Sequence, residues 1–156
     1  MEIRKSHTND APQLSKLILE TVIENKEDDF DDEGWNRFAK AIEVDEIARR
    51  INSADYQIYV TEIDNEIVGI ISILHNQKID QLFVSKQHRR CGIASALWSH
   101  AKSAAEKNGG DGSFWVRSST IGVPLYLSFG FEIVGSRQTL QGISFQVLKY
   151  DQCTDQ

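Results

Sequence analysis

Residues 78–110 constrain the fold of this chain more than any other stretch. An apolar, strand-like run ("KIDQLFV", 78–84) leads into a turn that contains Gly92, and an amphipathic pattern of helical period follows over residues 93–107. Asparagine and two glycines at 108–110 then end the helix, as such residues commonly do. A strand that turns at a glycine and continues as a helix directs several unpaired backbone amides to one point. Such a point favours the binding of an anion.

The other segments also alternate between strand-like and helix-like patterns. Strands are predicted at 2–6, at 56–64 and 66–74 around an Asp-Asn turn, at 113–117, and in a closing hairpin at 131–137 and 143–150. Helices are predicted at 10–26, 35–51 (in one piece or broken) and 121–130. The order βααβββαβαββ indicates an α+β fold, with a central mixed, mostly antiparallel sheet flanked by helices.

The size and composition of the chain fit one domain, expected over residues 1–150 and followed by a short tail at 151–156. The chain has 156 residues, of which 40% are hydrophobic, and this is enough for a single buried core. Its net charge is -6, and its positive residues are dispersed. Because neutralising phosphates requires a concentrated basic face, we expect no nucleic-acid partner.

Neither a membrane span nor a secretory signal is predicted. The longest apolar run, "IVGIISIL" (67–74), has the length of a strand and not the roughly 18 residues that suggest a membrane helix. The first ten residues have no apolar stretch after their charges. Cys91 and Cys153 form neither a metal-binding spacing nor a disulfide framework. We therefore expect no metal, no membrane association and a cytoplasmic location.

The glycine turn has features that suit a diphosphate. In "SKQHRRCGIASAL" (85–97), Gly92 allows a ligand close to the backbone, while Arg89 and Arg90 can add charge-assisted hydrogen bonds. The turn lacks the Gly-Lys-Ser/Thr of a nucleoside-triphosphate loop and the three glycines of a dinucleotide-binding motif. Taken alone, it is equally compatible with an ordinary exposed loop.

Beyond the turn, the sequence resembles the GNAT superfamily of acyl-CoA-dependent N-acetyltransferases. Arg89, Gly92 and Ala94 match the family motif of Arg or Gln, two residues, Gly, one residue, then Gly or Ala. "VPLYLSFGF" (123–131) resembles the closing tyrosine and Gly-Phe motif of the family. Two spaced motifs in the expected structural context are more specific than either alone. The resemblance covers most of residues 1–150 and implies acetyl-CoA as the acyl donor.

The resemblance also implies which residues bind the donor. Backbone groups of Leu82, Phe83 and Val84 are expected to pair with the pantetheine arm, and an amide near Phe83 is expected to stabilise the oxyanion. Ser119 lies where family members contact the pantetheine or the sulfur, although a helix-capping role is equally possible. The backbone amides expected to hold the pyrophosphate belong to Arg89, Arg90, Cys91, Gly92, Ile93, Ala94 and Ser95.

Acetyl transfer to an amine requires two proton transfers. The amine must be neutral to attack, and the departing thiolate needs a proton or a hydrogen bond. Tyr126 matches the family's tyrosine acid. Asp80, the only acid in 78–84, is the candidate base or water anchor, with a hydrogen-bonded structural role as the alternative. A bulge in this strand would change the face that Asp80 meets. His75 is interpreted as a turn residue.

An acidic segment, "ENKEDDFDDEGW" (24–35), lies between the first two helical regions, where the resemblance places the acceptor site. Its carboxylates either steer a cationic amine or a basic peptide end, or form a solvated charge run. Phe30 and Trp35 either wall a pocket or anchor the helices to the sheet. The carboxylates belong to Glu27, Asp28, Asp29, Asp31, Asp32 and Glu33.

The combined prediction is an N-acetyltransferase that moves an acetyl group from acetyl-CoA to a primary amine of a small molecule or peptide by direct attack. The alternative is a non-catalytic acyl-CoA-binding or regulatory module on the same fold, which needs the diphosphate site but no proton relay. A monomer or a homodimer is expected, because the edges of the closing hairpin can pair between subunits.

Overall fold

The computed structural model describes residues 1–152, which form one eight-stranded sheet flanked by helices. The strands are β1 (Glu2–Lys5), β2 (Tyr56–Ile63), β3 (Glu66–Leu74), β4 (Lys78–Val84), β5 (Ser113–Ser118), β6 (Glu132–Ile133), β7 (Gln138–Leu140) and β8 (Ile143–Asp151). The helices are α1 (Ala11–Val22), α2 (Lys26–Asp29), α3 (Asp32–Ala41), α4 (Val44–Ile51), α5 (Ile93–Lys107) and α6 (Val123–Ser128).

This order confirms the α+β prediction and refines it at two places. The helical region predicted at 35–51 is two helices, α3 and α4, and the short α2 lies in the acidic segment before it. A new helix starts after Asp31 because its backbone is extended and its side chain accepts a hydrogen bond from the N–H of Gly34. The strand β7 was not predicted, since three residues are too few to show alternation. It pairs with β8 through a turn in which Gln141 and Gly142 have positive φ.

The sheet has the strand order β1-β2-β3-β4-β5-β8-β6, with β7 paired to β8. Only β4 and β5 are parallel among these described pairs, and α5 is the crossover between them. Asp64 and Asn65 have φ values of 52° and 66°, which confirms the tight turn predicted between β2 and β3. The glycine turn lies between β4 and α5, at the start of the crossover that joins the two parallel strands.

Two apolar clusters cover the two faces of the sheet. Helix α5 packs on one face with Ile71 and Ile73 of β3, and α1 and α4 pack on the other face with Ile70. Successive residues of a strand point to opposite faces, so a strand covered on both sides is apolar at nearly every position. This explains the continuous apolar run of β3.

An ionic cluster anchors the N-terminal strand. Arg4 donates hydrogen bonds to both carboxylate oxygens of Asp10, at 2.8 and 3.0 Å, and also to Glu62 on β2. The hydrogen bonds from Arg4, and then that from the backbone N–H of His7, hold the pKa of the Asp10 carboxyl below its usual range, although burial opposes them.

Within residues 1–152, no helix combines the length and apolarity needed to cross a membrane. Residues 153–156, which include Cys153 and most of the predicted tail, lie outside the described residues.

Candidate active site

Strands β4 and β5 diverge shortly after they meet. Their parallel register joins Lys78 to Trp115 and Ile79 to Val116, and no further pair joins them within residues 1–152. Beyond this point β4 stays paired to β3, and β5 stays paired to β8 as far as Ser118. The edges that the two strands present to each other are therefore open. We call this V-shaped opening the β4–β5 cleft.

A bulge in β4 coincides with the divergence. The register passes from Ser72 opposite Gln81 to Ile73 opposite Ile79, which leaves Asp80 as the additional residue. A bulge bends its strand and increases the local twist, so it accounts for the separation of β4 from β5. Asp80 therefore lies at the narrow end of the β4–β5 cleft.

The direction of the β4 amides follows from one hydrogen bond. The N–H of Ser85 donates to the carbonyl of Val68 in β3, at 2.8 Å. Backbone groups alternate sides along a strand, so Phe83 also directs its N–H and C=O toward β3. The N–H and C=O groups of Leu82 and Val84 face the β4–β5 cleft. Of the three residues predicted to pair with a pantetheine arm, these two have free backbone groups on the correct side.

The turn after β4 presents unpaired backbone amides at the start of α5. Gly92 has a φ of 78°, and a side chain at this position would meet open space, so the glycine is required by its backbone conformation. Helix α5 starts at Ile93 with no side-chain cap, and the first helical hydrogen bond is donated by Ala96 to the carbonyl of Gly92. The amides of Ile93, Ala94 and Ser95 are consequently without an intrahelical partner. This arrangement fits a diphosphate.

The positive side chains at the turn are only partly free. Glu24, two residues after the end of α1, lies 3.5 Å from the guanidinium of Arg89 and 3.9 Å from the ammonium of Lys86. Arg90 is exposed with a φ of 63°, and the Sγ of the exposed Cys91 donates weakly to the carbonyl of Arg89 at 3.6 Å. Backbone amides are thus the main anion donors, with the arginines adding charge.

Tyr126 is buried on the α5 face of the sheet. It belongs to the apolar cluster against which Leu82 and Val84 pack, and its ring lies 5.5 Å from that of Phe131. Burial raises the pKa of the Tyr126 phenol above its ordinary value. The hydroxyl therefore stays protonated at neutral pH and can act as a donor.

Ser119 has a definite structural role next to Tyr126. Its hydroxyl oxygen accepts a hydrogen bond from the N–H of Gly122 at 3.2 Å, immediately before α6. The side chain of Ser119 is exposed, whereas its neighbour Ser118 is buried and donates to the carbonyl of Ser119. The hydroxyl of Ser119 thus supports the start of α6 and remains accessible.

Asp80 faces the side of the sheet opposite Tyr126. It forms an ion pair with Lys78 at 3.6 Å, and the Lys78 ammonium lies 5.2 Å from the ring centroid of Trp115. Trp115 alternates with two residues that pack against α5, so it points to the other face. Burial raises the pKa of Tyr56 on this same face, and the charge of Asp80 adds to the effect. The two predicted proton-transfer groups thus lie on opposite faces.

The acidic segment is not uniformly solvated. Asp29 is 4% exposed, and its carboxylate accepts hydrogen bonds from the N–H and hydroxyl of Thr120 and from Arg137. Asp31 caps α3, and its N–H donates to the carbonyl of Gly142. The segment is therefore fastened to the β5–α6 loop and the β7–β8 turn. Asp29 was predicted only as one of the steering or solvated carboxylates, and Arg137 was not predicted at all, because the burial of Asp29 depends on residues distant in the chain.

Phe30 and Trp35 of this segment form an aromatic cluster with Phe38 of α3. Their ring centroids lie 5.2 to 6.0 Å apart, and Phe30 forms an isolated bridge with Ile143 at the start of β8. The cluster anchors α3 to the sheet, as one of the two alternatives proposed. Each of its three rings also remains partly exposed.

The histidines and potential metal ligands add no further site. His75 is exposed in the β3–β4 turn with a φ of 53°, which confirms its interpretation as a turn residue, and it lies 3.6 Å from Asp55. In the described part of the chain, no group of three or more His, Cys, Asp or Glu residues is arranged to hold a metal ion.

Comparison with known proteins agrees with this geometry. Residues 26–151 match the family model of the acetyltransferase (GNAT) domain. The chain is 27% identical over 135 residues to the uncharacterized N-acetyltransferase YafP of Escherichia coli (strain K12), which covers 86% of this chain and 83% of YafP. The crystal structure of PaiA N-acetyltransferase from Thermoplasma acidophilum in complex with coenzyme A superposes with a TM-score of 0.81, at 17% identity, over 96% of this chain and 98% of that one. The aminoglycoside 6'-N-acetyltransferase from Enterococcus faecium superposes with a TM-score of 0.68, at 14% identity, over 96% of each chain.

The fold and the β4–β5 cleft thus define an acyl-CoA-dependent N-acetyltransferase. The chain belongs to the GNAT family. It transfers an acetyl group to an amine and uses acetyl-CoA as the donor. The predicted family, fold class, donor and enzymatic nature are confirmed.

Proposed function

We propose that acetyl-CoA binds in the β4–β5 cleft. The observation that carries this proposal is the divergence of β4 from β5 beside an uncapped helix. The amides from Arg89 to Ser95 hold the pyrophosphate, and the backbone groups of Leu82 and Val84 pair with the amides of the pantetheine arm as with an added strand. The exposed hydroxyl of Ser119 contacts the pantetheine at its sulfur end.

The bound donor supplies the acetyl group as a thioester. An N–H from Leu82 or Val84 donates to the thioester oxygen and stabilises the negative charge that develops there. Phe83 does not direct its amide into the cleft. Its amide faces β3, and its side chain packs toward α1 and α4. The oxyanion donor is therefore a neighbour of Phe83 rather than Phe83 itself.

Asp80 and Tyr126 divide the proton transfers between the two faces of the sheet. Asp80, on the face with Trp115, accepts a proton from the acceptor amine directly or through water. Tyr126, on the α5 face, donates a hydrogen bond and then a proton to the departing thiolate. Attack by the amine gives a tetrahedral intermediate in which the nitrogen and the sulfur occupy different corners of the reacting carbon, so a base and an acid can reach them from different sides.

The acceptor is a primary amine of a small molecule or peptide that approaches over Trp115 and the aromatic cluster of Phe30, Trp35 and Phe38. Similar structures carry names that mention acceptors as unlike as aminoglycosides and a ribosomal-protein alanine. Acceptor choice therefore depends on side chains at the site and not on the fold. The exposed carboxylates of the acidic segment attract the cationic form of the amine.

The cellular setting follows from the same residues. An exposed free thiol at Cys91 fits a reducing compartment such as the cytoplasm. The protein acts as a monomer or a homodimer, and the short exposed strands β6 and β7 supply edges for pairing in the dimer.

The assignment is tested by measuring coenzyme A release with acetyl-CoA and a panel of amines for the native protein and Asp80→Asn. We expect Asp80→Asn to lower kcat/KM roughly 10²- to 10⁴-fold and to leave the Kd of acetyl-CoA unchanged. Asp55→Asn, which removes an exposed carboxylate outside the site, is the matched control. Full activity of Asp80→Asn would reduce Asp80 to a structural partner of Lys78.

A further inference from the structure

Arg117 is a cation on the acceptor face that no described group neutralises. It lies two residues after Trp115 on β5, so the two side chains share the face opposite α5. Its side chain is exposed, and none of the ion pairs within 4.0 Å in residues 1–152 includes it. An arginine in this position is available for a ligand.

Two aromatic rings hold the guanidinium in place. Its central carbon lies 4.9 Å from the ring centroid of Phe145 on β8 and 5.7 Å from that of Trp115. A guanidinium stacked on aromatic faces keeps its N–H edge free for two parallel hydrogen bonds to a planar oxyanion. The rings also restrict the side chain before any ligand binds, which lowers the entropic cost of binding.

The other cations near Arg117 each have a carboxylate that offsets their charge, whereas Arg117 has none among residues 1–152. Lys78 is paired with Asp80, and Arg137 is paired with Asp29. Lys149 lies opposite Glu132 in the register of β8 and β6, so their charges offset each other along that row. A local positive charge therefore remains at Arg117 although the chain as a whole is acidic.

Arg117 also occupies the same position along β5 that Asp80, the proposed base, occupies along β4. The last pair between β4 and β5 is Ile79 with Val116, so Asp80 and Arg117 are the next residues on the two strands. Paired strands are about 4.8 Å apart, and β4 and β5 separate further from this point. The two groups thus flank the narrow end of the β4–β5 cleft, where a single small molecule can meet both.

We propose that Arg117 binds a carboxylate of the acceptor, which makes the acceptor an amine that carries a carboxylate a few bonds away, such as an amino acid. The inference rests on the proposed function, since it takes the Asp80 face as the acceptor side. The amine lies near Asp80 while the carboxylate accepts two hydrogen bonds from Arg117. The aromatic rings of Trp115 and Phe145 orient the guanidinium.

The test uses α- and β-amino acids, each paired with its own carboxamide as acceptor. The measured quantity is the ratio of kcat/KM for the acid to that for the amide, compared between the native protein and Arg117→Gln. The acid and the amide of a pair differ in the pKa of their amine. This difference is the same for both protein variants, so it cancels when the two ratios are compared. Arg117→Lys tests the need for the planar fork, and Arg49→Gln, on α4 and paired with Glu46, is the control.

We expect Arg117→Gln to lower the ratio roughly 10- to 100-fold through KM for the acid, with unchanged kinetics for the amide. Arg117→Lys should recover part of the preference, and Arg49→Gln should match the native protein. An unchanged ratio, or an equal loss for acid and amide, would overturn the inference alone. Failure of the native protein to acetylate any amine while it binds acetyl-CoA would overturn the proposed acceptor site, and this inference with it.

Discussion

The carboxylate of Asp29 accepts hydrogen bonds from both the backbone N–H and the hydroxyl of Thr120, although 91 residues separate them in the sequence. Thr120 follows Ser119 in the loop that leads to Tyr126. The acidic segment, on the proposed acceptor side, is thus tied directly to the loop that carries Ser119 and leads into α6 with Tyr126. This contact makes the two halves of the site one structural unit.

Asp29→Ala should lower the free energy of unfolding by about 3 kcal/mol. The change removes a buried carboxylate that accepts hydrogen bonds from the N–H and hydroxyl of Thr120, and it removes the ion pair of Arg137. Urea denaturation measures the loss. Asp28→Ala, an exposed neighbour, should change stability by less than about 0.5 kcal/mol. Equal stability of the two variants would contradict a role of Asp29 as a tether.

Gly92→Ala should weaken coenzyme A binding at least tenfold without unfolding the protein. Its φ of 78° costs an alanine about 1 kcal/mol, and relief of that strain moves the amides that hold the pyrophosphate. Gly109→Ala is a matched control, because Gly109 also has positive φ and open space around its position, but lies at the other end of α5. Calorimetric titration with coenzyme A should separate the two variants; similar affinities would argue against the diphosphate site.

Coenzyme A should protect Cys91 from alkylation. The thiol is exposed within the proposed diphosphate site, so a bound pyrophosphate covers it. On a Cys153→Ser background, saturating coenzyme A should slow labelling by iodoacetamide about tenfold. Pantetheine, which lacks the pyrophosphate, should protect little. Equal protection by both ligands would place the pyrophosphate elsewhere.

Tyr126→Phe should lower kcat roughly 10²-fold or more and leave the Kd of acetyl-CoA unchanged. The variant keeps the buried ring and removes only the proton donor. Tyr150→Phe is the control: this tyrosine belongs to the same apolar cluster, and its hydroxyl contacts Lys102 at 3.2 Å. Native turnover in Tyr126→Phe would exclude the phenol from the mechanism.

Asp10→Asn should destabilise the protein at neutral pH but not in acid. Because the folded-state pKa of Asp10 is depressed, its stabilising effect is present above the unfolded value of about 3.9 and is lost as the pH falls through the folded value. We expect a loss of about 2 kcal/mol at pH 7 that shrinks below about pH 4, measured by urea denaturation across pH. The exposed Asp45→Asn should show no such convergence; a constant deficit in Asp10→Asn would exclude the ionic cluster as its cause.

Much of the site was predictable because its signals are local. Gly92, the preceding strand and the following helix lie within one continuous stretch, and the spacing of Arg89, Gly92 and Ala94 identifies the turn without reference to other segments. Tyr126 was identified in the same way from "PLYLSFGF". The Asp-Asn turn between β2 and β3 also follows from adjacent residues, since their backbone preferences are local.

The features that depend on strand register were decided by the tertiary structure. Whether Leu82 or Phe83 directs its amide into the β4–β5 cleft follows from the pairing of β4 with β3. The bulge at Asp80 likewise arises where β4 is matched against β3, and it sets the face on which the carboxylate lies. The sequence by itself determined the family, the donor and the glycine turn that is proposed to bind the diphosphate. Only the folded chain decided the burial of Asp29 and the placement of Asp80 and Tyr126 on opposite faces, because these result from contacts between distant segments.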